Sequence, residues 1–219
     1  TVYVYAGTYP ESIAFIRDSV TVMGASRDLV KVIPPGSDTV CTASCRANIR
    51  LWNLTISNPQ IGSQGVYWES VVNSEIRGCS FVNCRRNAIV LGVFERELIY
   101  NNCIDSTGNV GIYMYYNTSA VHIVRNNWID SNLVRNTGSH GISCSLLPNA
   151  VTNNRVENAK NSGIVTSGTF SSAYDSQVVS GNSVYNCGQF GLDIASSDST
   201  ICDSNTVDSV AKNGINVSN

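Results

Sequence analysis

Apolar positions return along this chain at intervals of twenty-odd residues. A glycine followed by an apolar residue recurs at Gly65-Val66, Gly111-Ile112, Gly141-Ile142, Gly163-Ile164, Gly191-Leu192 and Gly214-Ile215, and Ala88-Ile89 fills the one gap. The steps between them are 23, 23, 30, 22, 28 and 23 residues. Seven residues before each glycine slot stands Phe81, Ile104, Val134, Val156, Val184 or Val207. Twelve before it stands Ile76, Ile99, Ile129, Val151, Val179 or Cys202. Nine before it the residue is polar: Asn102, Asn132, Asn154, Asn182 and Asn205, with Cys79 in the remaining slot. Around each slot apolar and polar residues alternate, as in Ile112/Met114, Ile142/Cys144 and Leu192/Ile194. Alternation of period two places successive side chains on opposite faces of a strand.

The repeat therefore predicts a coil of three short strands, stacked about 4.8 Å per turn. Glycine lets the backbone pass where a side chain would clash. Asparagine tolerates left-handed backbone, and stacked asparagines can link their amides into a ladder. The two long steps read as inserted loops, His122–Asn127 and Gly168–Asp175. A leucine-rich repeat has a similar period but needs a leucine line that is missing here. A left-handed β-helix would show a six-residue beat, and none is found. The predicted fold is all-β: one right-handed parallel β-helix domain over residues 1–219, of about nine coils.

Residues 1–60 are less regular, and 61–219 carry the regular coils. Thr1–Tyr5, Ser12–Ile16, Ser19–Met23 and Leu29–Ile33 read as strands, punctuated by Gly7, Gly24 and Pro34-Pro35-Gly36. Solenoid ends need covers. The sequence provides no recognisable cap, so the ends are expected to be covered by residues of the chain that the pattern does not single out, by an oligomeric partner, or by further chain.

The repeats resemble those of the pectin-lyase-like superfamily of right-handed β-helices. Thr1-Val-Tyr-Val-Tyr-Ala-Gly-Thr-Tyr-Pro-Glu11 and Ser19-Val-Thr-Val-Met-Gly24 resemble the opening coils of pectin methylesterases. The likeness implies an extracellular protein acting on polysaccharides. It does not fix a reaction, because one scaffold hosts many. The catalytic motifs of pectin methylesterases, polygalacturonases and alginate epimerases are absent. Only the looser pectate-lyase pattern, aspartates around calcium with a basic residue, is left to seek, so calcium is the one cofactor the resemblance admits.

Composition narrows the partners. Charged residues make up only 14%, against about 25% in ordinary domains. A net charge of −2 argues against a nucleic-acid partner, which would require a basic stripe. No apolar run reaches the length of a membrane span. The first residue, Thr1, reads as the start of a processed product or an excerpt. Eight cysteines and N-x-S/T acceptors at Asn53, Asn117 and Asn216 point to a secreted or cell-surface glycoprotein with disulfides. Cys79–Cys103 and Cys41–Cys45 are the pairings considered. No CxxC pair suggests zinc.

Two outward columns carry candidate chemistry. The first, six before the glycine slot, reads Val82, Asp105, Arg135, Glu157, Tyr185 and Asp208. Asp105 and Glu157 are two coils apart, roughly 10 Å, a spacing at which two carboxylates can act as acid and base. Arg135 would neutralise a uronate or serve as base, and Arg155 shares that face. The alternative is a solvated ladder of opposite charges. The second column, two after the slot, reads Tyr67, Val90, Tyr113, Ser143, Val165, Asp193 and Asn216. Its tyrosines, with Tyr115 and Tyr116 close by, could stack on sugar rings, or could reflect strand propensity alone. Tyr67, Tyr113, Tyr115, Arg155, Tyr185 and Asp193 are the candidate substrate-binding set. Trp68 falls at an inward position, and His140 reads as a turn residue. Three readings follow: a lyase or hydrolase on an acidic polysaccharide, a non-catalytic glycan-binding or adhesion module, or a stiff spacer.

Overall fold

The computed structural model describes residues 1–36, 38–60, 63–115, 126–145, 150–167, 177–195 and 200–218. No helix occurs among them. Their 27 strands form three parallel sheets of nine. Each coil gives one strand to each sheet, so the structure is a right-handed parallel β-helix of nine coils. In a typical coil Leu98–Tyr100 belongs to sheet one, Cys103–Thr107 to sheet two and Ile112–Tyr115 to sheet three. Residues predicted to stack do so in register. Ile76 pairs with Ile99, Phe81 with Ile104, and Ile112 with Ile142.

The first 60 residues are more regular than their pattern suggested. Val2–Val4, Gly7–Tyr9 and Ile13–Phe15 already make a full coil, each strand paired to the next coil. Gly7 opens a strand rather than breaking one. The Cys41–Ser44 strand was not anticipated.

The core is a stack of the apolar columns. Phe81, Ile104, Val134, Val156 and Val184 are fully buried. Trp68 is buried as expected and packs edge-on against Phe15 at 5.6 Å. In the last coil the same columns are exposed: Ile215 pairs with Leu192 but is 47% accessible. Cys202, expected inside, is exposed for the same reason, since no further strand of the described residues covers it.

The asparagine column forms the predicted ladder. Asn102, Asn132, Asn154 and Asn182 each donate Nδ2 to the next asparagine's Oδ1 at 3.0 Å, ending on Asn205. Each Oδ1 also accepts the backbone N–H of the previous rung, and the N–H of Cys79 extends the series. The left-handed residues are the ones just before: Asn101, Ser131, Asn153 and Gly181 have φ of 53, 55, 54 and 67°. The ladder asparagines thus serve as hydrogen-bonding rungs, and their neighbours make the corner. The glycine column has a steric cause. A Cβ on Gly111 would lie 2.6 Å from the Gly141 carbonyl, and one on Gly141 would lie 2.8 Å from that of Gly163.

All eight cysteines are free thiols, contrary to the pairings considered. Cys79 is buried, with its sulfur 3.4 Å from both the Leu51 and the Arg77 carbonyl oxygens, either of which can accept its one S–H. Cys103 stands in the partly exposed column that pairs with Ser80 and Leu133, so the two point to opposite sides of the coil wall. Cys41 faces the core, whereas Cys45 is exposed just beyond the strand. Asn117, His122, Tyr116 and the Gly168–Asp175 insertion lie outside the described residues. Asn127, expected in a loop, occupies a buried slot and its Oδ1 accepts the Glu97 N–H at 2.9 Å.

Candidate functional site on the outer face of sheet three

Sheets two and three each bring one predicted column together, with different chemistry. On sheet two, Asp105 pairs with Arg135 and Arg135 with Glu157 in adjacent strands. Arg135 Nε donates to Asp105 Oδ2 at 2.9 Å. Arg155 reaches along its own strand to Glu157 at 2.5 Å, and its guanidinium lies 5.3 Å from the Tyr185 ring centroid.

Asp105 also terminates a second amide ladder. Asn186 donates to Asn158 at 2.8 Å, Asn158 to Asn136 at 2.9 Å, and Asn136 to Asp105 Oδ1 at 2.8 Å. Ser106 donates to the same oxygen at 3.0 Å. Partial burial pushes the Asp105 carboxyl upward, but the Asn136 and Ser106 hydrogen bonds and the Arg135 charge outweigh it. The net result lies below the usual carboxylate range. Asp105 is thus an ionised anchor whose two oxygens already accept three hydrogen bonds. That suits a brace between coils better than a proton donor.

On sheet three a tighter cluster forms around a residue that the column reading missed, Glu69. Tyr67, Val90 and Tyr113 are in register, as are Glu69, Gly92 and Tyr115. Tyr67 donates to Glu69 Oε2 at 2.8 Å and Tyr115 donates to the same oxygen at 2.7 Å. The two phenol oxygens are 2.8 Å apart. Tyr113 stacks on Tyr115, with centroids 5.5 Å apart and planes 24° from parallel. Val90, between the tyrosines on the outer face, is only 2% exposed. Gly92 leaves the middle coil bare, which lets Tyr115 reach across it to Glu69.

The phenols are held protonated. Burial raises the Tyr67 hydroxyl, as does its bond to Glu69, with only the Tyr115 contact opposing. Burial, hydrogen bonds to Tyr67 and Glu69, and the Glu69 charge all raise Tyr115. The signal for Glu69 was available in sequence: it sits two residues after Tyr67, hence on the same face. It was passed over because only one outward column of this sheet was read.

Asp193 shares the Tyr113 column but stands three coils away, roughly 14 Å. It accepts from Asn216 at 2.8 Å and takes no part in the cluster. His140 accepts the Ser162 N–H on Nδ1 at 3.3 Å, and burial lowers its pKa despite the Asp193 charge. It is a neutral turn residue. Among the described residues no group of three His, Cys, Asp or Glu side chains comes together as a metal site.

The family model for the right-handed beta helix region matches residues 20–178. No curated protein sequence matches the chain. Several solved structures share its fold. The enzymatically active domain of tailspike protein 2 from bacteriophage CBA120 is 12% identical, with a TM-score of 0.69 over 99% of this chain and 38% of that one. The A-module of mannuronan C-5 epimerase from Azotobacter vinelandii is 14% identical, with a TM-score of 0.59 over 95% of this chain and 69% of that one. A pectin methylesterase from Yersinia enterocolitica is 10% identical, with a TM-score of 0.52 over 99% and 84%. The chain therefore spans little more than a third of the tailspike domain. At these identities the likenesses show fold alone.

Proposed function

The chain belongs to the right-handed β-helix family, and from that premise we propose that it is a secreted or cell-surface protein that binds a polysaccharide across the outer face of sheet three. The observation that carries the reading is the Tyr67–Glu69–Tyr115 cluster with Tyr113 stacked beside it. Aromatic faces suit sugar rings, since each is a flat apolar surface. A fixed carboxylate accepts hydrogen bonds from sugar hydroxyls, and charge-assisted bonds of this kind are about twice as strong as neutral ones. The cluster is built before the ligand arrives, so little ordering cost is paid on binding.

The sheet-two stripe takes a different part in this proposal. Asp105, Arg135 and Glu157 act as a charge ladder that braces neighbouring coils, with Arg155 and Tyr185 packed on it. Asp193 lies at the far end of the sheet-three face and would contact only a long ligand.

A second reading is catalytic, as a lyase or hydrolase. Two protonated phenols share a carboxylate: Glu69 can take a proton from an attacking water or from the carbon beside a uronate carboxyl, a phenol can give its proton to the leaving oxygen, and the proton on Glu69 then restores the phenol. One experiment separates the two. The protein is incubated with pectate, alginate and neutral glucans, and both binding and new reducing or unsaturated ends are measured. Binding without new ends, lost in Tyr113→Ala and in Glu69→Gln, supports the binding module. New ends that vanish in Glu69→Gln support the enzyme. Neither binding nor turnover with any polymer removes both.

A further inference from the structure

The outer face of sheet one carries a stripe that the tyrosine cluster and the charge ladder leave unused. Its first outward column reads Leu98, Trp128, Ala150, Val178 and Ile201 in five successive coils, all apolar and in register. Their strand neighbours Ile99, Ile129, Val151 and Val179 are buried, so these five side chains point away from the core. Trp128 is 51% exposed and Ile201 55%. Soluble proteins rarely show a contiguous outward apolar run unless something docks on it. The second outward column, beside the first, reads Arg77, Tyr100, Asp130, Thr152, Ser180 and Asp203.

Charge and size both change sense along this stripe. Arg77 lies in the fourth coil and Asp203 in the ninth. They stand five coils apart, about 24 Å, so they cannot pair within one chain. The Arg77 guanidinium lies over the Tyr100 ring and 3.9 Å from Glu75, too long for a strong hydrogen bond. Asp203 is exposed and pairs with no cation of the described residues. Asp130, between them, is already satisfied by Ser131, Thr152 and Asn153. The tall side chains, Tyr100 and Trp128, stand in coils five and six; the short ones, Ala150 and Ser180, stand in coils seven and eight.

We propose that a second copy of this chain docks on the outer face of sheet one, antiparallel, about a two-fold axis that lies along the strand direction between coils six and seven. That axis turns coil four over coil nine, five over eight and six over seven. Arg77 then faces Asp203 of the second copy, Trp128 faces Ala150, Tyr100 faces Ser180 and Leu98 faces Val178, each pair occurring twice. Sheets packed face to face stand about 10 Å apart, and a tall side chain opposite a short one fills that gap. Other placements fail on charge. A centre on coil six sets Asp130 against its own copy, and a centre on coil seven leaves Arg77 opposite no described residue. An axis parallel to the helix lays Asp130 on Trp128 and Asp203 on Ile201, which buries two carboxylates against apolar side chains. The ends of the solenoid take no part, and neither does the tyrosine face, so the proposal stands apart from the polysaccharide reading.

Sedimentation velocity of the full chain, from about 1 to about 100 μM, tests the proposal. Dimer in exchange with monomer is expected. Arg77→Asp and Asp203→Arg should each weaken association at least about tenfold, since each sets like charges face to face. The double variant exchanges the two charges and should return to within about threefold of the parent. Trp128→Ala should weaken association at least about tenfold as well. All three positions are exposed, and circular dichroism checks the fold of each variant. Monomer at every concentration overturns the proposal. So does a dimer indifferent to Arg77→Asp, or single charge variants that weaken association with no recovery in the double variant.

Discussion

Tyr67 and Tyr115 stand two coils apart along the helix, yet their hydroxyl oxygens are 2.8 Å from each other. The coil between them offers Gly92 at the crossing point. A Cβ there would lie 2.7 Å from Tyr115 Cζ and would also strike the Glu69 carboxylate. Both are the far ends of side chains that can swing away, so Gly92→Ala should fold. Its stability cost is expected to be about 1 kcal/mol or less. Affinity for the polysaccharide should fall much more, because the prebuilt cluster is opened. Parallel thermal melts and binding isotherms check this. A variant that loses stability and keeps affinity would show that the cluster is structural only.

The asparagine ladder should be strongest in its middle. Asn132 Oδ1 accepts the Asn102 N–H at 3.0 Å, and its Nδ2 donates to Ile99 O at 2.9 Å and to Asn154 Oδ1 at 3.0 Å, all in the interior. Asn132→Ala leaves buried donors and acceptors without partners, at a cost of about 3 kcal/mol. Asn205 makes equivalent bonds at a partly exposed rung. Water can replace them, so Asn205→Ala should cost about 1 kcal/mol. Urea denaturation of the two variants provides the comparison. Equal costs would mean that burial does not set the ladder's worth.

Much of this fold was legible because a solenoid repeats the same physical constraints every coil. The Phe81–Ile104–Val134 column had to be buried, and the Gly111–Gly141–Gly163 column had to be bare, for coils to stack at all. Less was legible where the pattern is carried by single residues. The left-handed corner falls at Asn101, Ser131, Asn153 and Gly181, a mixed set that no column of one residue type reveals. In the candidate site the tyrosines could be placed but not Glu69, whose importance depends on a glycine one coil away. Cys79 and Cys103 looked close enough to bridge; the side to which each points depends on the corner between them.

Thiol chemistry tests that corner directly. Burial pushes the Cys41, Cys79 and Cys84 thiols up to about 12, and Cys144 is raised by burial as well. A thiol so protected is a poor nucleophile. In the native protein Cys45 and Cys202, both exposed, should react with a thiol reagent first. After denaturation without reductant, all eight should react. A count of six or fewer in the denatured state would mean that a disulfide exists.

Glu97 should make stability depend on pH in a direction opposite to that of most carboxylates. Its ordinary value is 4.5, and in the folded chain burial raises it to about 8. Between those values the unfolded chain releases a proton that the folded chain retains, so stability falls as pH rises through this window. The whole shift corresponds to at most on the order of 5 kcal/mol. In its slot Glu97 accepts the Ser74 N–H, and its own N–H goes to Asn127 Oδ1. An amide keeps the acceptor and cannot ionise. Glu97→Gln is therefore expected to match the parent protein near pH 5 and to exceed it progressively toward pH 8, in melting temperature or urea midpoint. A parent protein that is as stable at pH 8 as the glutamine variant would mean that Glu97 is already ionised.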